Sequence, residues 1–381
     1  MNTQLDPATA TRFVIWGGLL LGLALGAAGQ VSRFCVRGAI DDLVTLRRPG
    51  RLLSWMLALA VAMPALQLLI ALHVFDATRT IAWTTNFAWA SYLAGGAIFG
   101  FGMILAGGCP QRSLVKTGSG DLKSLVTLVV TAVAAAMTLR GALAGWRVDL
   151  LDRWSVPLAM PQDIGSMAAA GVPVSAQAVR WIVALVVVMA VAAAAWRRRA
   201  QMNRGHWIGG VVVGLLLPLA FVLTGAVGFL AEHPETLEPA WLGTQSHRPE
   251  GLSFVAPLAN SLDLLTLWTD KATVATFGVL LALGVLAGSF ASARLRGEFK
   301  LQSFAGPREL ANYFAGSVLM GFGGVTALGC SIGQGLTGLA MLSAGALLAV
   351  AGIVGGAILA IRVRGRTANG AARPVGVGQA A

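Results

Sequence analysis

The sequence predicts an all-α integral membrane protein of about nine transmembrane helices, arranged as two inverted repeats with broken or short re-entrant helices near the midplane. Three observations predict this fold. The 381 residues are 56% hydrophobic and only 12% charged, with a mean hydropathy of +0.74, whereas soluble domains carry about 25% charged residues. Basic residues cluster in alternate loops between apolar segments. A glycine-rich phrase that ends in cysteine occurs twice.

Nine apolar segments approach or exceed the length that crosses the hydrocarbon core of a bilayer. The first follows MNTQLDPATATR, which lacks the basic start of a signal peptide, so we expect it to be a retained span. The predicted spans are residues 13–34, 52–74, 89–115, 122–140, 179–196, 207–229, 272–291, 311–336 and 338–361.

These spans divide the chain into five parts. We expect an N-terminal segment at 1–12, a first membrane repeat at 13–178, a linking span with a basic loop at 179–206, a second membrane repeat at 207–361, and a disordered tail at 362–381. The tail is rich in glycine, alanine and proline, a composition that does not form a packed core.

The orientation follows from the distribution of lysine and arginine, which are enriched in cytoplasmic loops. With the N-terminus outside, the inner segments hold 20 of the 28 basic residues. The outer segments keep eight, which are Arg12, Arg79, Arg140, Arg147, Arg153, Arg180, Arg248 and Lys271. We therefore predict a periplasmic N-terminus and a cytoplasmic C-terminus. The net charge of +12 lies between apolar spans rather than on one soluble face, so no nucleic-acid partner is expected.

The repeated phrase defines the two halves of the protein. Residues 92–109 (YLAGGAIFGFGMILAGGC) and 313–330 (YFAGSVLMGFGGVTALGC) align without a gap and share nine identical positions. With the predicted orientation, one copy runs inward and the other outward. Inverted repeats are a transporter architecture with the substrate site between the halves.

Each copy delivers a cysteine to an equivalent place. Pro110 follows Cys109 and favours the first position of a helix, and Ser331 after Cys330 is also compatible with a helix start. A helix N-terminus attracts anions. The alternative is that the glycines and proline form only a hinge, with each cysteine a small buried apolar residue.

The third cysteine, Cys35, lies at the end of the first span between Arg33 and Arg37. The arginines either attract anions or simply anchor the span. We expect the corresponding part of the second half to lie near residues 224–229, where there is no cysteine. The path residues predicted from these patterns are Cys35, Cys109 and Cys330, with possible substrate contacts at Gly108, Pro110, Gln111, Lys116, Gly329, Ser331, Gln334 and Arg33.

Common metalloenzyme, nucleotide-binding and dithiol motifs are lacking in the sequence. There is no H-E-x-x-H, P-loop or C-x-x-C motif. We therefore predict no catalytic residues, no cofactor and no metal site. Two alternatives stay open besides a transporter of anions. They are a membrane thiol oxidoreductase or sulfurtransferase, and a transporter of a soft metal held by thiolates.

The chain resembles the YeeE/YedE family of sulfur transport proteins. The resemblance is carried by RFC ending at Cys35, GFGMILAGGC ending at Cys109, MGFGGVTALGC ending at Cys330, and GEF at 297–299. It implies an hourglass-shaped protein of the bacterial inner membrane that imports thiosulfate. It also implies that the three cysteines line a central path and pass the ion along by transient contacts. Other sulfur or selenium species remain alternative substrates. A cytoplasmic sulfur-carrier partner of the TusA type would be a separate protein.

Overall fold

The computed structural model describes residues 6–171, 173–234, 237–270 and 273–371, and these are predominantly helical. The long apolar runs of the sequence form helices because a helix satisfies its own backbone hydrogen bonds. The α-helices are α1 (Pro7–Ser32), α2 (Val36–Thr45), α3 (Gly50–Ala71), α4 (Trp89–Leu105), α5 (Pro110–Gly118), α6 (Leu122–Arg140), α7 (Ala144–Arg147), α8 (Ile164–Ala169), α9 (Ala176–Arg197), α10 (Arg204–Val222), α11 (Val255–Thr266), α12 (Phe277–Leu295), α13 (Pro307–Thr326) and α14 (Ala344–Ala371).

Shorter elements connect these helices. Two antiparallel strand pairs lie in loops predicted on the outer side: β1 (Asn86–Phe87) pairs with β2 (Val156–Pro157), and β3 (Phe229–Leu230) pairs with β4 (Ala240–Trp241). Single turns of 3₁₀-helix occur at Ala77–Arg79, Ile81–Trp83 and Arg199–Gln201, and π-helical turns at Val148–Asp152, Leu223–Val227 and Gly333–Gly338.

Eight helical segments among the described residues are long and apolar enough to cross a membrane. This confirms the predicted all-α, multi-pass membrane protein. The segments are Pro7–Thr45, Gly50–Ala71, Trp89–Gly118, Leu122–Arg140, Ala176–Arg197, Arg204–Val227, Phe277–Leu295 and Ala344–Gly365.

The predicted span at 311–336 differs from the structure. Its helix, α13, begins earlier at Pro307 with the polar residues Arg308, Glu309 and Asn312, and it ends at Thr326. These polar residues near the start lower the mean hydropathy of α13, so it is not among the eight segments that are apolar enough to cross a membrane. The last predicted span also differs, because α14 continues to Ala371, and residues 372–381 of the predicted tail lie outside the described part of the chain.

The two halves pack through small residues that bring helix backbones close together. Helix α1 lies parallel to α12, with Gly22 against Leu281 and Gly26 against Val285. Helix α3 packs in the same way on α10, α4 on α14, and α6 on α13. Each pair joins a helix of the first half to a helix of the second half.

These contacts come in matched sets, as expected of an inverted repeat. The two glycine-rich helices α4 and α13 cross antiparallel, since Gly95 lies against Ala327 while Gly316 lies against Ala106. The short helix α2 packs on α3 and α14, and α11 packs on α12 and α6. Phe254, which precedes α11, therefore occupies the position of Cys35, rather than a residue near 224–229.

A leucine at Gly100 tests this close packing. A β-carbon there would overlap the backbone of Ile353, whereas a β-carbon at Gly355 would meet nothing within 4 Å. We expect Gly100→Leu to separate α4 from α14 and to destabilise the fold by about 3 kcal/mol, as overpacking does. Thermal unfolding of the detergent-solubilised protein measures this, with Gly355→Leu as the matched control. Equal stability of the two variants would contradict the packing described.

Candidate functional site

Two cavities lie at opposite ends of the same helices. The first, called the Glu250 cavity, has a volume of about 340 Å³, and its lining includes Leu139 of α6 and Val325 of α13. The second, called the Arg112 cavity, has a volume of about 540 Å³, and its lining includes Lys123 of α6 and Tyr313 of α13. Since α6 and α13 each reach both cavities, the cavities are separated by the length of a helix.

The two repeated cysteines lie between these cavities. Gly107, two residues before Cys109, lines the Arg112 cavity, and Gly329, directly before Cys330, lines the Glu250 cavity. Both cysteine side chains are fully buried. Cys35 is half-buried and lines the Arg112 cavity itself. Cys109 is near enough to both other thiols for their charges to interact with it.

The local chain around Cys109 follows the sequence prediction. Helix α4 ends at Leu105, and α5 begins at Pro110, with Cys109 as its N-cap. The carbonyl of Cys109 accepts a hydrogen bond of 2.8 Å from the Ser113 N–H. The intervening turn requires a left-handed residue at Gly107 (φ 76°), where a β-carbon would also overlap the hydroxyl of Tyr313.

Cys330 is held by a different kind of turn. The backbone turns left-handed at Leu328 (φ 56°) and then enters the π-helical segment Gly333–Gly338. The Cys330 sulfur accepts the Gly333 N–H at 3.4 Å, and the Gln334 amide donates to the Ala327 carbonyl at 2.7 Å. The predicted helix start after Cys330 is thus a single π-helical turn.

Cys35 also caps a helix, which the sequence did not indicate. It is the N-cap of α2, and its sulfur accepts the Gly38 N–H at 3.3 Å. All three thiols therefore sit at the N-terminal ends of helical segments, where backbone N–H groups favour negative charge.

Several buried polar groups beside the cysteines have no hydrogen-bond partner among the described residues. They are both side-chain polar atoms of Gln111 and the hydroxyl of Ser113, in residues that are 1% exposed. The Ser331 hydroxyl is equally buried and lies against the Cys109 thiol. A buried polar group without a partner costs about 1–3 kcal/mol. Such groups are suited to hydrogen-bond a polar ligand that passes between the cavities.

The Arg112 cavity is strongly basic. Its lining includes seven cationic side chains against two carboxylates, those of Asp121 and Glu298; the cations are Arg33, Arg37, Arg51, Arg112, Lys116, Lys123 and Lys300. Arg112 donates to the Gly29 carbonyl at 3.2 Å, and Lys116 donates to the Gly107 carbonyl at 3.1 Å. Four of the seven cations are paired with carboxylates, namely Arg37 with Asp41, Arg51 with Asp42, Lys116 with Asp121 and Lys123 with Glu309. The other three, Arg33, Arg112 and Lys300, give the cavity a positive potential that favours anions.

Glu298 is a fixed negative charge at the edge of this cavity. A hydrogen bond from Arg296 lowers the pKa of the Glu298 carboxyl, which also accepts the Gln30 amide at 3.0 Å. The carboxylate ties the end of α1 to the loop after α12.

The Glu250 cavity is mainly apolar. Burial raises the pKa of the Glu250 carboxyl, whose oxygen accepts the Ser246 N–H at 2.9 Å. Two arginines also line this cavity, and each is paired: Arg140 with Asp263, and Arg147 with Asp152. An anion in this cavity would meet few unpaired cations.

The structure places the predicted site residues in the linings of the two cavities or beside the thiols between them. Arg33, Cys35 and Lys116 line the Arg112 cavity, and Gly329 and Gln334 line the Glu250 cavity. The remaining residues flank the two buried thiols in sequence: Gly108, Pro110 and Gln111 beside Cys109, and Ser331 beside Cys330.

Sequence reasoning did not single out Arg51, Glu250 or Glu298 as site residues. They lie at least 16 residues from any cysteine in the chain and reach the cavities through tertiary packing. The GEF tripeptide at 297–299, which carries part of the family resemblance, could have indicated a role for Glu298. Among the described residues, no group of three histidine, cysteine or acidic side chains could hold a metal ion.

Comparisons with known proteins give a consistent result. The sequence profile of the family described as Sulphur transport matches residues 31–359. The thiosulfate transporter TsuA of Escherichia coli (strain K12) is 29% identical over 346 residues, which are 87% of this chain and 89% of that protein. A thiosulfate transporter TsuA of Spirochaeta thermophila is 26% identical over 341 residues, which are 88% of this chain and 94% of that protein.

Proposed function

The chain belongs to the Sulphur transport family, and on this premise we propose that it imports thiosulfate across the bacterial inner membrane. The family and both relatives are transporters, which agrees with the prediction that the chain is not an enzyme. One observation carries the proposal. Two fully buried thiols, equivalent in the repeat, lie between two cavities that are joined by the same helices, and one cavity is strongly basic.

We place the N-terminus in the periplasm and the C-terminus in the cytoplasm, as the basic residues predict. The Glu250 cavity then faces the periplasm and the Arg112 cavity faces the cytoplasm. Thiosulfate enters the Glu250 cavity, passes Cys330 and Cys109, and leaves past Cys35 into the Arg112 cavity.

The chemistry of the ion matches the groups between the cavities. Thiosulfate has a polarizable terminal sulfur and a sulfonate end with three oxygens. Thiols of Cys109 and Cys330 donate weak S–H hydrogen bonds to the terminal sulfur. The side chains of Gln111, Ser113 and Ser331 donate to the oxygens. Several weak sites in series suit passage, because tight binding would hold the ion. No covalent bond to a cysteine is required.

Import of a dianion must overcome the membrane potential. Moving one negative charge inward costs about 2.3 kcal/mol per 100 mV, and thiosulfate carries two charges. The positive potential of the Arg112 cavity stabilises the ion at the inner end of the path. Consumption of thiosulfate in the cytoplasm keeps the gradient inward, and a separate TusA-like sulfur carrier is the proposed acceptor.

Uptake of radiolabelled thiosulfate tests the function. We expect a bacterium without its own importers to accumulate the label when it expresses the native chain. Unlabelled thiosulfate should compete, and sulfate should compete poorly because it lacks the terminal sulfur. Absence of uptake by well-expressed protein would overturn the proposal. A stable persulfide on Cys109 during turnover would instead favour a sulfurtransferase.

A further inference from the structure

A third cavity, called the Arg248 pocket, lies beside the Glu250 cavity and has a volume of about 340 Å³. Two loops form the wall between them. In the first loop, Thr80–Ala82 line the Glu250 cavity, while Arg79 and Trp83 line the Arg248 pocket. In the second loop, Glu250 lines the former, while His247 and Arg248 line the latter. The pocket is therefore an immediate neighbour of the Glu250 cavity.

Basic side chains from the two loops converge on this pocket. Arg248 has no hydrogen bond or ion pair in the part of the chain that the structure describes. Arg79 has only a loose pair with Asp76, at 3.7 Å between side chains that are 64% and 50% exposed. The imidazole of His247 adds a further nitrogen. No carboxylate lines the pocket among the described residues, so its charge is available to a ligand.

Two tryptophan side chains, Trp83 and Trp241, also line the pocket. Trp83 is fixed, because its indole N–H donates to the Met341 carbonyl at 2.8 Å and Arg180 lies 4.2 Å over its ring. Trp241 is 8% exposed, and its indole N–H has no hydrogen-bond partner among the described residues. Thr84 contributes a hydroxyl to the same lining.

This combination fits a small tetrahedral oxyanion. A guanidinium group presents paired N–H donors that match two oxygens of such an anion. The hydroxyl, imidazole and indole groups add further hydrogen-bond donors, and the volume accommodates a small anion with some of its water. A large apolar ligand would leave the arginines uncompensated.

We propose that the Arg248 pocket is a second oxyanion site, which collects thiosulfate beside the mouth of the Glu250 cavity. The outer side of the protein carries only eight predicted basic residues, and two of them meet here. The Glu250 cavity itself is apolar and contains a carboxyl, so a dianion gains from a basic site next to its entrance. The geometry of the pocket alone supports the binding site. Its role in delivering thiosulfate to the path rests on the proposed function.

Equilibrium binding of radiolabelled thiosulfate to purified protein tests the site. The Cys109→Ala/Cys330→Ala background removes the two buried thiol contacts of the proposed path. In that background we expect Arg248→Gln to weaken binding by about tenfold, the loss typical of one charged hydrogen bond. Arg248→Lys should restore part of the lost affinity. Trp241→Phe should weaken binding, because it keeps an aromatic ring but removes the indole N–H. The matched control is Arg153→Gln, because Arg153 is an exposed arginine in an outer loop that stacks on Trp154.

Uptake gives the second readout. In the native background, Arg248→Gln should raise the half-saturating thiosulfate concentration several-fold and leave the maximal rate unchanged. Binding and half-saturation that are both unaffected by Arg248→Gln would overturn the site. If native protein binds thiosulfate through Arg248 but transports none, the oxyanion site stands and the proposed import function fails.

Discussion

Replacing Cys109 or Cys330 with alanine should nearly abolish thiosulfate uptake. Both thiols are fully buried between the two cavities, so an ion that crosses from one cavity to the other must pass them. Removing one partner of a buried polar contact costs about 1–3 kcal/mol, which corresponds to a reduction of about fivefold to 150-fold in rate. Initial rates of radiolabelled uptake, normalised to the amount of protein in the membrane, measure the effect.

The same series separates a thiol contact from simple packing. Cys109→Ser keeps a side chain of similar size but loses the polarizable sulfur, so we expect it to be nearly as inactive as Cys109→Ala. Cys35→Ala should have a smaller effect, because Cys35 is half-buried at the edge of the wide Arg112 cavity. Full uptake in all three alanine variants would mean that the cysteines are packing residues and that the path is elsewhere.

The features that sequence reasoning located correctly are local ones. The Pro110 ring fixes a helix start, so Cys109 could be placed at an N-cap from two adjacent residues. Apolar runs of membrane-crossing length identified the spans, because length and composition decide whether a helix crosses a bilayer. Cys330 was assigned a position equivalent to Cys109 through the repeat, since its own neighbours include no proline.

The features that escaped sequence reasoning depend on distant parts of the chain. Nothing near Cys35 shows that α2 begins there, and its equivalence to Phe254 emerges only from the contacts of α2 and α11 with their neighbours. Helix α13 is less hydrophobic than its partner α4 because it begins with charged residues, so hydropathy alone gave wrong bounds. The lining of the Arg112 cavity comes from five separated segments, from Gln30 to Tyr313, and its charge could not be predicted without the fold.

One basic residue shows this limit clearly. Arg180 is one of the eight basic residues predicted on the outer side, where it resembles an anchor at the end of a span. In the structure its side chain is 11% exposed and forms an ion pair of 2.8 Å with Asp163, which is fully buried. Arg180 also donates to the Ser166 hydroxyl at 3.0 Å and lies over Trp83. The pair therefore joins α9 to the loops of the Glu250 side.

This buried pair supports the segment that holds Cys330. The residues around Asp163 hydrogen-bond to the turn before α14, with the Ile164 N–H donating to the Leu342 carbonyl at 2.9 Å and the Ala344 N–H donating to the Gln162 carbonyl at 2.8 Å. That turn directly follows the π-helical segment Gly333–Gly338. Loss of the ion pair should therefore loosen the Cys330 region as well as the loop.

We expect Asp163→Ala to destabilise the protein by about 3–5 kcal/mol, because it leaves the Arg180 charge buried without a partner. Thermal unfolding of the detergent-solubilised protein measures this. The exposed control is Asp41→Ala, which breaks a half-exposed pair with Arg37 at 4.0 Å and should cost less than about 1 kcal/mol. The double variant Asp163→Leu/Arg180→Met removes both charges and should recover part of the stability. If Asp163→Ala is no less stable than Asp41→Ala, then the pair does not support the fold, and the link from α9 to the Cys330 turn must be carried by the backbone hydrogen bonds alone.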